Sequence, residues 1–136
     1  MEQGYLIDSN VIIGYLDNKI PTSGMQFLNI VIDDSPTISV INKIEVLRFN
    51  SLDESTYQTL VEFVNECLVL NLNDNIINLT ISICKNNRIK LPDAVIAATA
   101  LANNLILLTR NTTDFKTINN LKTCNPWEIR DTSILN

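Results

Sequence analysis

Asp8, Glu45, Asp93 and Asp114 are four carboxylates placed where apolar stretches begin, end or turn inward. Asp8 follows the apolar run Tyr5-Leu6-Ile7 and precedes Ser9 and Asn10, either of which can cap a helix running through Val11-Ile12-Ile13-Gly14-Tyr15-Leu16. A strand that hands over to a helix at an acid puts that acid at a carboxyl end, where α/β sheets gather ligands and catalytic groups. Asp93 lies in Lys90-Leu91-Pro92-Asp93, with Pro92 suited to the first position of a helix and Asp93 to its first turn. Glu45 falls inside an apolar arc of Ile41, Ile44, Val46, Leu47 and Phe49 on a helix expected from Ile41 to about Asn50. An acid that points inward needs a partner or a cation, and Arg48 at i+3 offers the ordinary alternative. Asp114 closes the segment Thr109–Asp114 that leaves the apolar run Leu105–Leu108. Taken singly, Asp8 and Asp93 also read as plain helix-terminal acids. Taken together, oxygen ligands without His or Cys suit Mg²⁺ or Mn²⁺. Clustered carboxylates holding such ions are the usual device for displacement at phosphorus.

Composition removes most other chemistries. The chain has 136 residues and no His, so His acid–base catalysis, His-dependent nucleophile pairs and His-containing zinc sites are excluded. Its three Gly form no phosphate-cradling loop. Lys+Arg number 10 against 15 Asp+Glu, a net charge of −5, which argues against a module that simply grips phosphates. Cys67, Cys84 and Cys124 are odd in number and widely spaced, which suits neither a disulfide framework nor a metal knuckle. Each lies in an apolar segment and is expected to be a buried, reduced thiol of a cytoplasmic protein. No apolar run is long enough to span a bilayer, so no membrane association is expected.

The elements that must position the acids alternate strand with helix. Strands are expected at Tyr5–Ile7, Pro36–Val40, Leu68–Leu70, Leu105–Leu108 and, weakly, Lys122–Asn125. Helices are expected after Asp8, after Pro21, from Ile41, from Asp53, from Asp74 to about Asn87, and from Pro92 to Asn103-Asn104. The alternation implies an α/β fold: a mostly parallel sheet of four to five strands covered by helices on both faces, in a single domain over 1–136. Such a sheet brings Asp8 and the Thr109–Asp114 segment to the same edge.

The motifs resemble those of PIN-domain nucleases. Leu6-Ile7-Asp8-Ser9-Asn10-Val11-Ile12-Ile13 is similar to their opening motif, and Glu45 after Ser39-Val40-Ile41-Asn42 to their second acid. Pro92-Asp93-Ala94-Val95-Ile96-Ala97-Ala98-Thr99-Ala100 resembles their central acid motif, and Leu107-Leu108-Thr109-Arg110-Asn111-Thr112-Thr113-Asp114-Phe115 their closing one. Asn125-Pro126-Trp127 resembles the usual exit from the final strand. The match runs in order along essentially the whole chain.

The resemblance implies a three-layer α/β/α fold and a Mg²⁺- or Mn²⁺-dependent endoribonuclease site of one or two ions. Metal-activated water would attack a phosphodiester, leaving a 5′-phosphate and a 3′-hydroxyl. It implies Asp8, Glu45, Asp93 and Asp114 as metal ligands. Family members vary between the positions of Asn111 and Asp114 in supplying an acid, so Asp114 would reach the metal directly or through water. Ser9 stands where Thr is common, and Asn10, Thr109 and Asn111 would orient the ligands by hydrogen bonds. Arg88, Lys90, Arg110, Lys116 and Lys43 are candidates to meet RNA phosphates, or else an ordinary solvated face. Short stand-alone members resemble the VapC-like toxins of toxin–antitoxin modules, which implies an antitoxin partner and a homodimer. The apolar surplus in residues 21–33 and 54–66 would serve such a partner. Two alternatives stand beside this reading: a catalytically silent PIN-like partner-binding module, and a carboxylate-based phosphatase on another parallel-sheet fold. The phosphatase lacks support because Asp8-Ser9-Asn10 supplies no second acid of a D-x-D motif.

Overall fold

A computed structural model describes residues 3–48 and 53–130. In chain order they form β1 (Gly4–Ile7), α1 (Ser9–Leu16), α2 (Thr22–Asp33), β2 (Thr37–Ser39), α3 (Val40–Leu47), α4 (Glu54–Glu66) and β3 (Leu68–Leu70). Then come α5 (Asp74–Asn86), α6 (Leu91–Ala102), β4 (Leu105–Leu108), α7 (Thr112–Phe115), β5 (Thr123–Cys124) and a 3₁₀ turn at Pro126–Glu128. The sheet has five strands in the order β3-β2-β1-β4-β5, and every pairing is parallel. β1 lies at its centre, with Ile7 opposite Leu108 of β4 and Leu6 opposite Thr37 of β2. From β1 the chain builds outward through β2 and β3, then returns to the other side of β1 for β4 and β5. That reversal opens a crevice beyond the carboxyl ends of β1 and β4, where ligands bind in open α/β sheets.

The period-2 alternation of the strands divides the core into two layers. Ile7, Ile38 and Leu108 pack with Val11, Ile12, Leu28, Leu60 and Val64 from the first group of helices. Leu6 and Leu107 face the opposite way, against Ile76 and Ile83 of α5 and the interior of α6. This is the expected three-layer arrangement. From Ala94 to Ala100, α6 is buried along its whole length, and its small side chains let α5 and the sheet close on it. Its one buried hydroxyl, Thr99 Oγ1, donates to Val95 O at 2.7 Å within the helix.

Several local expectations are revised. Asp8 itself caps α1, accepting from Ser9 N, so the helix begins before Asn10. Pro92 is the second residue of α6 and Asp93 the third. Residues 112–115, for which no helix was expected, form a helical turn. On α3 the buried residues are Asn42 and Val46, one turn apart, so Ile44 projects outward at 56% exposure. Phe49, expected on the same arc, lies outside the described residues. Cys84 is exposed, because Ile76, Thr80 and Ile83 define the inner face of α5 and the next residue turns to solvent. Cys67 and Cys124 are half-buried, and burial pushes the Cys67 thiol up to about 11, with the nearby Glu66 charge adding to it.

Candidate active site

Asp8 is the most deeply placed of the four acids, at 6% exposure. Its backbone N–H donates to Leu108 O at 2.9 Å, which ties the end of β1 to the end of β4. Its Oδ1 accepts from Ser9 N at 2.8 Å and Asn42 Nδ2 at 3.2 Å. Its Oδ2 accepts from Thr109 Oγ1 at 2.7 Å and Asn10 Nδ2 at 3.3 Å. All four donors are neutral. Burial raises the Asp8 pKa above its ordinary value, and the charge of Glu45 adds to the rise. The bonds from Thr109, Ser9 N and Asn42 oppose both effects.

Thr109 ends β4 as a buried hydroxyl and ties Asp8 to the next segment. Its Oγ1 accepts from Asn111 N at 3.1 Å and from Asn10 Nδ2 at 3.4 Å. Asn10 Oδ1 in turn accepts from Arg110 N at 3.0 Å. The start of α1 and the exit from β4 are thereby stitched together by polar side chains around one carboxylate. No buried side-chain nitrogen or oxygen among the described residues lacks a hydrogen-bond partner.

Glu45 is half-buried on α3 and points toward α1, where Ser9 Oγ donates to its Oε1 at 2.7 Å. No Arg48–Glu45 hydrogen bond forms among the described residues, so the simple helical pair is not the arrangement found. Asn42 links the two acids. It is fully buried, closes a capping box with Ser39 at the start of α3, and donates to both Asp8 Oδ1 and Ser9 Oγ, the latter at 3.1 Å. Sequence reasoning left Asn42 out of the site. The spacing Ser39-x-x-Asn42 is that of a capping box, and it was the available signal.

Asp93 sits half-exposed in the first turn of α6. Burial raises its pKa, and the charges of Asp8, Glu45 and Asp114 each raise it further, while Lys90 lowers it. Acids from β1, α3, α6 and α7 therefore share one field. Asp114 is exposed, and its backbone N–H donates to Asn111 O at 3.0 Å. Asn111 enters this network through its backbone and makes no side-chain cap bond. The donor set fits a hard divalent cation: oxygen atoms only, mutually repelling, and without a cationic side chain hydrogen-bonded to Asp8. Their spacing is that of an open cleft, since no three His, Cys, Asp or Glu side chains among the described residues stand close enough to share one ion.

Beside the acids runs a groove of about 680 Å³ that shares Ser9, Asn10 and Glu45 with them. The Arg110 guanidinium lies over the Trp127 ring in this groove, 4.7 Å from its centroid. Arg88, Lys90, Lys43 and Lys116 are all exposed. Of these, Lys90 is near enough to act on Asp93. Arg48 and Lys19 line the groove and were not among the expected cations.

The family model for the PIN domain matches residues 5–121, and the chain belongs to that family. PIN domains are generally nucleases. The family assignment removes the reading as a phosphatase on another parallel-sheet fold. Among solved structures, the chain is similar to one in a toxin–antitoxin complex from Klebsiella pneumoniae, with 28% identity, 93% of this chain and 100% of that one covered, and a TM-score of 0.69. It has the fold of a chain in the DNA-bound VapBC of Salmonella typhimurium, with 22% identity, 92% and 99% covered, and a TM-score of 0.77. The same holds for VapBC-1 of nontypeable Haemophilus influenzae, with 23% identity, 90% and 97% covered, and a TM-score of 0.74. No curated protein matches the chain significantly.

Proposed function

We propose that this chain is a single nuclease domain over 1–136, a Mg²⁺- or Mn²⁺-dependent endoribonuclease, and the toxin of a toxin–antitoxin module. The observation that carries the reading is the linkage of Asp8 and Glu45 through Ser9 and Asn42 in the crevice beyond β1 and β4, with Asp93 and Asp114 near enough for their charges to be felt there. As they stand, no three of these four side chains are close enough to share one ion, so holding a cation would require the more exposed Glu45, Asp93 and Asp114 to close toward Asp8. A divalent ion, when bound there, would supply positive charge for the scissile phosphate and lower the pKa of a water. The rest is done by the chain. Ser9, Asn10, Asn42 and Thr109 hold the Asp8 and Glu45 carboxylates in one orientation and keep them acceptors only. Lys90, whose charge acts on Asp93, would meet a phosphate flanking the cut.

The toxin part of the reading rests on the toxin–antitoxin complex and the VapBC structures, whose chains this one resembles. It carries with it an antitoxin partner, a homodimer and a cytoplasmic location. No helix among the described residues is long and apolar enough to cross a membrane. An inhibitor segment would place an Arg among the four acids, since its planar fork pairs bidentately with carboxylates. Ile30 of α2, 59% exposed, offers apolar surface to such a partner, whereas among the described residues α4 exposes no large aliphatic side chain. The open spacing of the acids would also suit a catalytically silent partner-binding domain. Incubation of labelled RNA with the wild type and with Asp93→Asn separates the two. Cleavage by the wild type alone supports the nuclease, and no cleavage by either, in the presence of Mn²⁺, contradicts it.

A further inference from the structure

The groove beside the acids joins apolar, basic and acidic side chains. Its floor is apolar, made by Ile13 on α1 and the half-buried Trp127. Its rim carries Lys19, Arg48 and Arg110, three of the 10 basic residues in a chain of net charge −5. Asp17 and Glu45 line it too, and Glu45 marks the end that opens on the acid cluster. Gly14 makes the floor possible. A Cβ there would stand 2.6 Å from Trp127 Cζ2, so only glycine lets the indole lie against α1. Glycine inside a helix is otherwise unfavourable, which points to the seat of the indole as its reason. The carbonyl of Arg110 accepts from Asn125 Nδ2 at 3.5 Å, and its N–H donates to Asn10. The guanidinium–indole stack is thus anchored at its backbone to the strand end that holds the acids.

We propose that this groove seats a nucleobase of single-stranded RNA next to the bond that is cut, with the Arg110–Trp127 stack as its platform. The inference rests on the nuclease reading above and assigns the substrate's position in that site. Bases of single strands stack on aromatic rings and on guanidinium planes, and basic side chains around such platforms hold the adjoining phosphates. A volume of about 680 Å³ accommodates a nucleotide-sized ligand. The cationic rim around an apolar floor suits a flat, uncharged base carried on an anionic backbone. An inhibitor peptide is the competing occupant.

Trp127 is the only tryptophan, so its fluorescence reports this groove and nothing else. Random-sequence RNA hexamers titrated into Asp93→Asn protein should quench it, and an abasic ribose-phosphate hexamer should not. Arg110→Ala should weaken hexamer binding on the order of tenfold, the usual scale of one lost stacking partner. Trp127→Phe, which keeps a ring, should retain most of the affinity. With wild-type acids, Arg110→Ala should lower kcat/KM on intact RNA by a similar factor. It should have little effect on RNA carrying an abasic ribose beside the scissile phosphate. Equal loss on both substrates would overturn the base seat, as would RNA binding without quenching. Quenching by an Arg-containing amphipathic peptide, but not by RNA, would assign the groove to a protein partner and overturn it likewise. If the wild type still cleaves RNA in any of these cases, the nuclease reading survives; if it cleaves none, that reading fails separately.

Discussion

At the scale of single residues the four acids are unequal. Asp8 is buried and fully hydrogen-bonded, whereas Asp93 is half-exposed and surrounded by like charges. Both have pKa values raised above the ordinary 3.8. A raised carboxylate favours the fold fully below its unfolded pKa, and this contribution is lost as pH rises through the folded value. Asp93→Asn should therefore raise Tm in metal-free buffer at pH 7, and the gain should shrink toward zero as pH falls to about 4, where the unfolded carboxylate protonates. Melts of the two proteins across that range check it; an equal gain at both ends would mean that charge is not its source. Asp8→Asn should not share the gain. Thr109 Oγ1 already accepts from Asn111 N and Asn10 Nδ2, so it must donate to Asp8 Oδ2, and an amide nitrogen there would face a saturated oxygen. Asp8, Glu45 and Asp93 stand out in the sequence because each is set against an apolar run, and Asp114 because it closes the polar segment that leaves Leu105–Leu108. Asn42 does not, because a buried amide on a helix of mixed character makes no such contrast.

At the scale of elements, the site depends on how α3 and the Pro126–Glu128 turn are seated. Asn42 caps α3 and bonds Asp8, so Asn42→Ala removes two functions at once. It should destabilise the protein by about 1–3 kcal/mol, measured by urea unfolding, and reduce cleavage by letting the Asp8 carboxylate turn. A stable variant with full activity would reduce Asn42 to packing. Gly24 on α2 faces the Pro126 carbonyl so closely that any Cβ would collide with it. Gly24→Ala should push that turn away, cost about 1–3 kcal/mol, and shift the emission of the neighbouring Trp127 to the red. Unchanged emission would mean that α2 yields instead. The order of elements was legible because alternating strand and helix patterns leave few topologies. Their outward faces were read less well. Ile44 and Cys84 sit in apolar runs, yet a helix of two or three turns is oriented by its neighbours as much as by its own pattern.

At the scale of the whole molecule, a net charge of −5 and an RNA substrate are reconciled only if cations screen the cleft. The nuclease reading therefore predicts that Mn²⁺ raises Tm by mass action, by about 2.7 kcal/mol of stability at roughly 100 times its Kd, with Asp93→Asn responding far less. It also predicts that Mn²⁺ weakens an inhibitor whose Arg enters the acids; affinity indifferent to metal and to Asp93→Asn would place inhibition elsewhere. The parallel sheet and the crevice beside β1 follow from patterns spread over the whole chain, which is why they were legible early. The Arg110–Trp127 groove was not, because it joins α1 to the far end of the chain and leaves no local period. The most direct test of the nuclease reading is cleavage of an end-labelled RNA by purified wild type and Asp93→Asn, in Mn²⁺ and in EDTA, with the product ends determined. Cleavage by the wild type alone is expected, abolished by EDTA and restored by Mn²⁺, with 5′-phosphate and 3′-hydroxyl ends. Cleavage that persists in EDTA, survives Asp93→Asn, or leaves 2′,3′-cyclic phosphates would contradict it.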